Sequence, residues 1–184
     1  TRERRTLGHW KAEENEHIQV SFHLLSHGYG YVTVIRETYD PQTHTYHPQP
    51  DENIRISLST GEKQVLAVEG DITAASENYV FTVDRTYDEN QLGHNPVYAA
   101  LREYNLTDGT CRVVSDTADG FRPTADPNTT YGDLLIWQRG DTLLVTDVST
   151  LEEREVLTMP DISIYWVMDS RAFFLTRDDA GIVK

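Results

Sequence analysis

Side chains with binding chemistry recur in two stretches of the sequence, residues 38–48 and 86–96, where tyrosine, aspartate and histidine follow in the same order. The candidate ligand-binding residues are Tyr39, Asp40, His44, His47, Tyr87, Asp88 and His94. A tyrosine ring offers a surface on which a ligand can stack, and an aspartate carboxylate accepts hydrogen bonds. We therefore predict a ligand site in which the two tyrosines stack and the two aspartates accept.

A structural interpretation of the same residues stays open. A Thr-Tyr-Asp sequence can end a strand, with the aspartate hydrogen-bonded to the backbone of the following turn. The tyrosine would then pack between neighbouring repeats. Repeated residues in a repeat protein often serve the scaffold, so this interpretation competes directly with a ligand site.

The same stretches raise the question of a metal site, because histidine and aspartate are ligands of zinc and other divalent ions. Asp40, His44 and His47 are close in sequence, and His94 lies in the corresponding second stretch. Their spacing matches no ordered motif such as His-Glu-x-x-His. We predict neither a metal nor another cofactor.

Both stretches belong to a longer repeat, because residues 31–71 return without gaps in residues 79–119. The matched residues are Tyr31-Val32 with Tyr79-Val80, Thr38-Tyr39-Asp40 with Thr86-Tyr87-Asp88, Pro48 with Pro96, Leu58 with Leu106, Gly61 with Gly109, Val65 with Val113 and Asp71 with Asp119. A fixed offset kept over this length indicates a repeat architecture.

Period-two alternation predicts that each repeat is a series of short strands, as where Ile18, Val20, Phe22 and Leu24 alternate with polar residues. A polar turn of the Ser-Thr-Gly or Thr-Asp-Gly type separates the third and fourth strands, and its glycine supplies left-handed backbone. The predicted repeats cover about residues 17–70, 71–120, 121–161 and 162–184, after an N-terminal strand or arm at residues 1–16.

The phrase formed by a hydrophobic strand, a polar turn with glycine and a Val-Leu pair resembles the blades of TolB-like and WD-repeat-like β-propellers. It occurs at residues 56–66 and 104–114, and without the glycine at residues 146–157. The resemblance implies an all-β propeller of four-stranded antiparallel blades, with about four units visible. It also implies that the loops between the second and third strands share one binding face. The single domain would be either a four-bladed ring or part of a larger one; Thr1 and Lys184 look like cut ends and favour a partial ring.

The charge balance excludes several partners. The chain has 30 acidic and 16 basic residues, which gives a formal net charge of -14. Nucleic acid and anionic membrane surfaces would therefore repel it. No apolar run approaches the roughly 20 residues that span a bilayer, and we expect any membrane anchor to belong to a missing upstream segment. Cys111 is the single cysteine, which excludes an internal disulfide, and its strand position predicts burial.

Signatures of catalysis are absent: the sequence has no Gly-x-Ser-x-Gly elbow and no phosphate-binding glycine-rich loop. We therefore expect a non-enzymatic module that binds or senses a protein or small molecule. The resemblance to TolB-like propellers implies an extracytoplasmic or secreted location. One alternative is a propeller domain of, or beside, a hydrolase. The other is a lipocalin-like barrel for a small ligand, suggested by Gly8-His9-Trp10.

Overall fold

The computed structural model describes residues 6–86, 98–116, 121–122, 130–131, 133–160, 162–168 and 171–175. These residues form sixteen strands and no helix, which confirms the all-β prediction. In this described part of the chain we find no helix with the length and hydropathy needed to cross a bilayer. The chain divides into two compact units, Thr1–Val68 and Glu69–Lys184, and each is described by itself.

The first compact unit holds one five-stranded antiparallel sheet, sheet I, in the order β1-β2-β4-β5 with β3 beside β2. Its strands are β1 (Glu16–Ser26), β2 (Tyr29–Asp40), β3 (Thr45–Pro48), β4 (Glu52–Ser57) and β5 (Lys63–Leu66). Residues 6–13 have no regular secondary structure and form an arm. Leu7 and Trp10 of this arm pack against the apolar cluster of sheet I, formed by Val32, Val34, Ile54 and Ile56.

The second compact unit holds three antiparallel sheets. Sheet II contains β6 (Asp71–Ala75), β7 (Tyr79–Thr86), β8 (Tyr98–Asn105) and β9 (Cys111–Ser115). Sheet III contains β10 (Phe121–Arg122), β11 (Thr130–Tyr131), β12 (Leu134–Arg139), β13 (Thr142–Asp147) and β14 (Glu153–Thr158). Sheet IV contains β15 (Ser163–Met168) and β16 (Arg171–Leu175). Each sheet draws its strands from one predicted repeat.

Sheets II and III share one apolar core. Phe81 and Leu101 of sheet II are buried together with Trp137 and Leu144 of sheet III. A second cluster lies on the opposite face of sheet III, where Ile136 and its neighbours meet Ile162. Side chains alternate between the two faces of a strand, and sheet III therefore uses both faces for packing.

The first hairpins of the first, second and fourth repeats follow one pairing pattern. Each contains a β-bulge at the same distance from its turn, between Phe22 and Leu24, between Ile72 and Ala74, and between Ile164 and Trp166. Bulges bend a strand and increase its twist. The hairpins of these three repeats therefore share one local bend. In sheet III both β10 and β11 pair with β12, so two short strands occupy the place of the first strand.

The turn between the third and fourth strands is also the same in three repeats. Its fifth residue adopts left-handed backbone, with φ of 77° at Gly61, 74° at Gly109 and 64° at Leu151, and its amide donates to the carbonyl four residues earlier. The predicted glycine turns are confirmed. The third turn shows that a leucine can take the glycine's place, because Leu151 packs against the shared core of sheets II and III.

The strand pairings correct the ungapped match between the first two repeats. In the second strand, the residues that occupy equivalent positions differ from the matched ones by two places. Tyr29 lies opposite Ser57, the first residue of its turn, and Tyr79 lies opposite the corresponding Asn105. Tyr79 therefore corresponds to Tyr29 and not to Tyr31. The match nevertheless places the right side chains inside, because a shift of two residues keeps every side chain on the same face.

Cys111 is exposed, and the prediction of a buried thiol is wrong. The residue begins β9, opposite Tyr104. The first three residues of this edge strand are all exposed, and their side chains therefore contribute little to the core.

A buried polar chain connects three strands of sheet I. The Thr33 hydroxyl donates to Asn53 Oδ1 at 2.6 Å, and Asn53 Nδ2 donates to the Val68 carbonyl at 3.0 Å. Since the single hydroxyl proton is used in this way, His23 Nε2, which lies 2.6 Å from the same oxygen, must be the donor in that contact.

Replacing Thr33 by valine keeps the side-chain shape and removes the hydroxyl at the centre of this chain. We expect the free energy of unfolding to fall by about 1–3 kcal/mol, because His23 and Asn53 each lose one buried partner. Urea unfolding of Thr33→Val measures the change. Thr158→Val is the matched control, since Thr158 is exposed and its hydroxyl lies 3.0 Å from the Thr142 hydroxyl. Equal losses in the two variants would contradict the prediction.

Candidate functional site

The first candidate stretch forms a β-hairpin that extends beyond the core of sheet I. β2 pairs with β4 from Tyr29 to Val34 and with β3 from Glu37 to Asp40. All four residues of β3 are exposed, so this strand buries no apolar side chain. We call residues 37–48 the projecting hairpin.

Asp40 fixes the turn of the projecting hairpin. Its Oδ1 accepts a hydrogen bond from the Gln42 amide at 2.8 Å, and its Oδ2 accepts one from the Thr43 hydroxyl at 2.9 Å. These bonds, the amide bond first, lower the pKa of the Asp40 carboxyl below its ordinary value. The structural interpretation of Asp40, as an aspartate that caps its own turn, is confirmed; its carboxylate keeps lone pairs that a ligand could use.

Tyr39 packs within the same hairpin. Its ring centroid lies 5.1 Å from that of Tyr46, which is directly opposite on β3. Its hydroxyl lies 2.8 Å from His44 Nδ1, and His44 has left-handed backbone with φ of 56°. The tyrosine and the turn histidine therefore hold each other in place.

The pairing of β2 with β3 separates the predicted residues onto two faces. Tyr39 contacts His44 on one face, whereas Asp40 and His47 lie on the other, with 3.9 Å between Asp40 Oδ2 and His47 Nε2. Adjacent residues of a strand point to opposite sides, and Tyr39 and Asp40 therefore cannot contact one small ligand from the same face. Tyr87, Asp88 and His94 lie outside the described residues.

Three further residues complete the face that carries Tyr39. His17 on β1 lies opposite Glu37 on β2, with 3.5 Å between His17 Nδ1 and Glu37 Oε2. The rings of His17 and Tyr46 meet edge to face at 6.4 Å. We call this set of five residues the aromatic face; its members are His17, Glu37, Tyr39, His44 and Tyr46. Tyr46 could have been identified from its place in the first stretch, whereas His17 and Glu37 join through the β1–β2 register alone.

The described residues contain no group of three or more histidine, cysteine or carboxylate side chains that could hold a metal ion. At the projecting hairpin the reason is geometric. His44 lies with Tyr39 on one face, while His47 and Asp40 lie on the other. The predicted His44 is therefore separated from His47 and Asp40, and these three side chains cannot share one ion.

A groove on sheet III is the other concave surface of interest. It is lined by Leu134, Val145, Asp147, Glu152, Glu153 and Arg154. Asp147 Oδ1 accepts hydrogen bonds from the amides of Thr150 and Ser149, both at 2.9 Å, and these bonds lower the pKa of its carboxyl. The aspartate serves its turn, and the lining offers neither a histidine nor a nucleophile.

Compared with protein-family models and with curated proteins, the sequence matches none.

Proposed function

We propose that this chain is a non-enzymatic binding module of the β-propeller type, and that the projecting hairpin is part of its binding surface. The observation that carries the proposal is a hairpin whose turn is fixed although its second strand packs no side chain into the sheet. Its β3 residues are all exposed, yet side-chain bonds of Asp40, Thr43 and His44 fix its turn. Ordered loops on a rigid sheet are where binding residues are commonly found.

The propeller architecture is part of this proposal, and the strand pairings support it. Four separate antiparallel sheets follow one another along the chain. Three repeats share a bulge in the first hairpin, and three share the turn between the third and fourth strands. Blades of a propeller are such sheets, stacked face to face as sheets II and III are. A lipocalin-like barrel would instead need one continuous sheet.

The proposed setting is extracytoplasmic or secreted, with a protein or small molecule as the partner. The acidic balance of 30 carboxylates against 16 basic residues makes nucleic acid an unfavourable partner.

The test is capture of partners from cell-envelope extract on the immobilised chain. We expect the variant with Tyr39, Asp40, His44 and His47 changed to alanine to lose most of the partner that the unmodified chain retains. The control carries Val113→Ala and Val156→Ala, two exposed valines of sheets II and III. Equal recovery by the hairpin variant and the control would overturn the proposal.

A further inference from the structure

Tyr46 is the more exposed of the two tyrosines in the projecting hairpin. Its relative exposure is 57%, although Tyr39 lies against one side and His17 meets it edge to face. An exposed aromatic side chain held by two neighbours loses little conformational entropy when a partner covers it. Tyr46 is therefore suited to anchor a ligand.

Elsewhere in the described part of the chain, three aromatic rings carry a cationic side chain over their face. The pairs are Arg55 over Tyr29 at 4.7 Å, Lys63 over Trp10 at 3.9 Å and Arg139 over Trp137 at 4.8 Å. The negative face of an aromatic ring attracts a cation held within about 6 Å of its centroid. Among the described residues, no such pair includes Tyr46, and its ring can accept a cation from outside.

The surroundings of Tyr46 are acidic. The backbone amide of Tyr39 donates to the Asn15 carbonyl, and that of Gln49 donates to the Arg36 carbonyl, which brings residues 13–16 and 49–52 beside the hairpin. Among the carboxylates of these stretches and of residues 36–40, Glu37 shares the face of Tyr46, and Glu13, Glu14 and Asp51 lie in the adjoining loops. Glu16, Asp40 and Glu52 lie on the opposite face of the sheet. The single lysine or arginine of these residues is Arg36. Arg36 is already paired with Glu16 at 3.0 Å.

From these observations we infer that the aromatic face binds an arginine-rich segment of a protein partner. One guanidinium stacks on the Tyr46 ring and donates hydrogen bonds to the Glu37 carboxylate on the same face. Arginine suits this surface better than lysine, because its planar group stacks on a ring and donates along its edge at the same time. The inference rests on the proposed function and gives its partner a chemical class.

The experiment measures the affinity of the whole chain for three short labelled peptides that differ only in arginine, lysine or glutamine at alternate positions. We expect the arginine peptide to bind best and the glutamine peptide least, with affinities for the charged peptides that fall as salt rises. Tyr46→Leu keeps the net charge and should weaken binding of the arginine peptide about two- to fivefold. Tyr46→Phe keeps the ring and should restore most of that loss, and Val156→Ala should leave affinity unchanged.

Attraction to the acidic surface alone would make Tyr46→Leu bind like the unmodified chain, and that result would overturn the inference. Equal affinity of the chain for the glutamine and arginine peptides would also overturn the inference. The proposed function has a separate outcome. If the hairpin variant loses its partner in the capture experiment and the arginine peptide does not compete for that partner, the binding surface stands and the basic partner is wrong.

Discussion

Replacing Phe81 by alanine is expected to lower the free energy of unfolding by about 3–5 kcal/mol. Phe81 has no exposed surface and lies in the core that joins sheets II and III. Its removal leaves a cavity that two rigid sheets can fill only in part, and the lost contacts add to the lost burial. Urea unfolding followed by tryptophan fluorescence is a suitable measurement, because Trp137 belongs to the same cluster.

Phe22→Ala is the matched control for this prediction. Phe22 has a relative exposure of 59% on β1, so its truncation should change the free energy of unfolding by no more than about 0.5 kcal/mol. A loss at Phe22 equal to that at Phe81 would contradict the prediction. It would mean that the exposed side of β1 is covered in solution.

The comparison also bears on the proposed propeller. In sheet II, the residue that corresponds to Phe22 is Ile72, since each precedes the bulge of its hairpin. Ile72 is 3% exposed. Equivalent positions of a stacked repeat should be equally buried wherever each sheet has a neighbour on that side. The exposure of Phe22 is confined to the edge strand β1, because its partner Val32 on the same face is buried.

The turns between third and fourth strands were predictable because they depend on local chemistry. Ser57, Asn105 and Asp147 each use a side-chain oxygen to accept a backbone amide of the following turn. A polar residue followed by serine, threonine and glycine is enough to indicate this conformation. Only Leu151 departs from the pattern, because its left-handed backbone is held by core packing.

The two-residue shift between the second strands of the first two repeats could not be predicted from the matched residue types. Tyr79 resembles both Tyr29 and Tyr31 in type, and the ungapped match chose the wrong one. Strand pairing decides between them through contacts that are distant in sequence. Because both alternatives place the ring on the same face, the hydrophobic pattern contains no information that separates them.

The candidate site was predicted in part for a similar reason. The sequence identifies the hairpin residues, but it does not show that β2 continues past its pairing with β4 and bonds β3 instead. That continuation places Tyr39 and Asp40 on opposite faces. It also brings His17 to Glu37 across the β1–β2 register, which only the folded sheet defines.

Gly70→Ala is expected to lower the free energy of unfolding by about 2–4 kcal/mol. Gly70 has left-handed backbone with φ of 83°, which a residue with a Cβ adopts at a loss of about 1 kcal/mol. A Cβ at this position would also lie 2.7 Å from the Val83 carbonyl oxygen, inside contact distance of backbone that cannot rotate away. Relieving that overlap requires β6 and β7 to move apart at their first pair, Asp71 and Val83.

Gly109→Ala separates these two effects. Gly109 has nearly the same backbone, with φ of 74°, but a Cβ built on it meets no atom within 4 Å. We therefore expect this variant to lose only the backbone term, about 1 kcal/mol. Urea midpoints measured at unchanged m-value give both numbers. Equal losses would show that the chain before β6 can shift away from Val83, and the close backbone approach at Gly70 would then not constrain the start of sheet II.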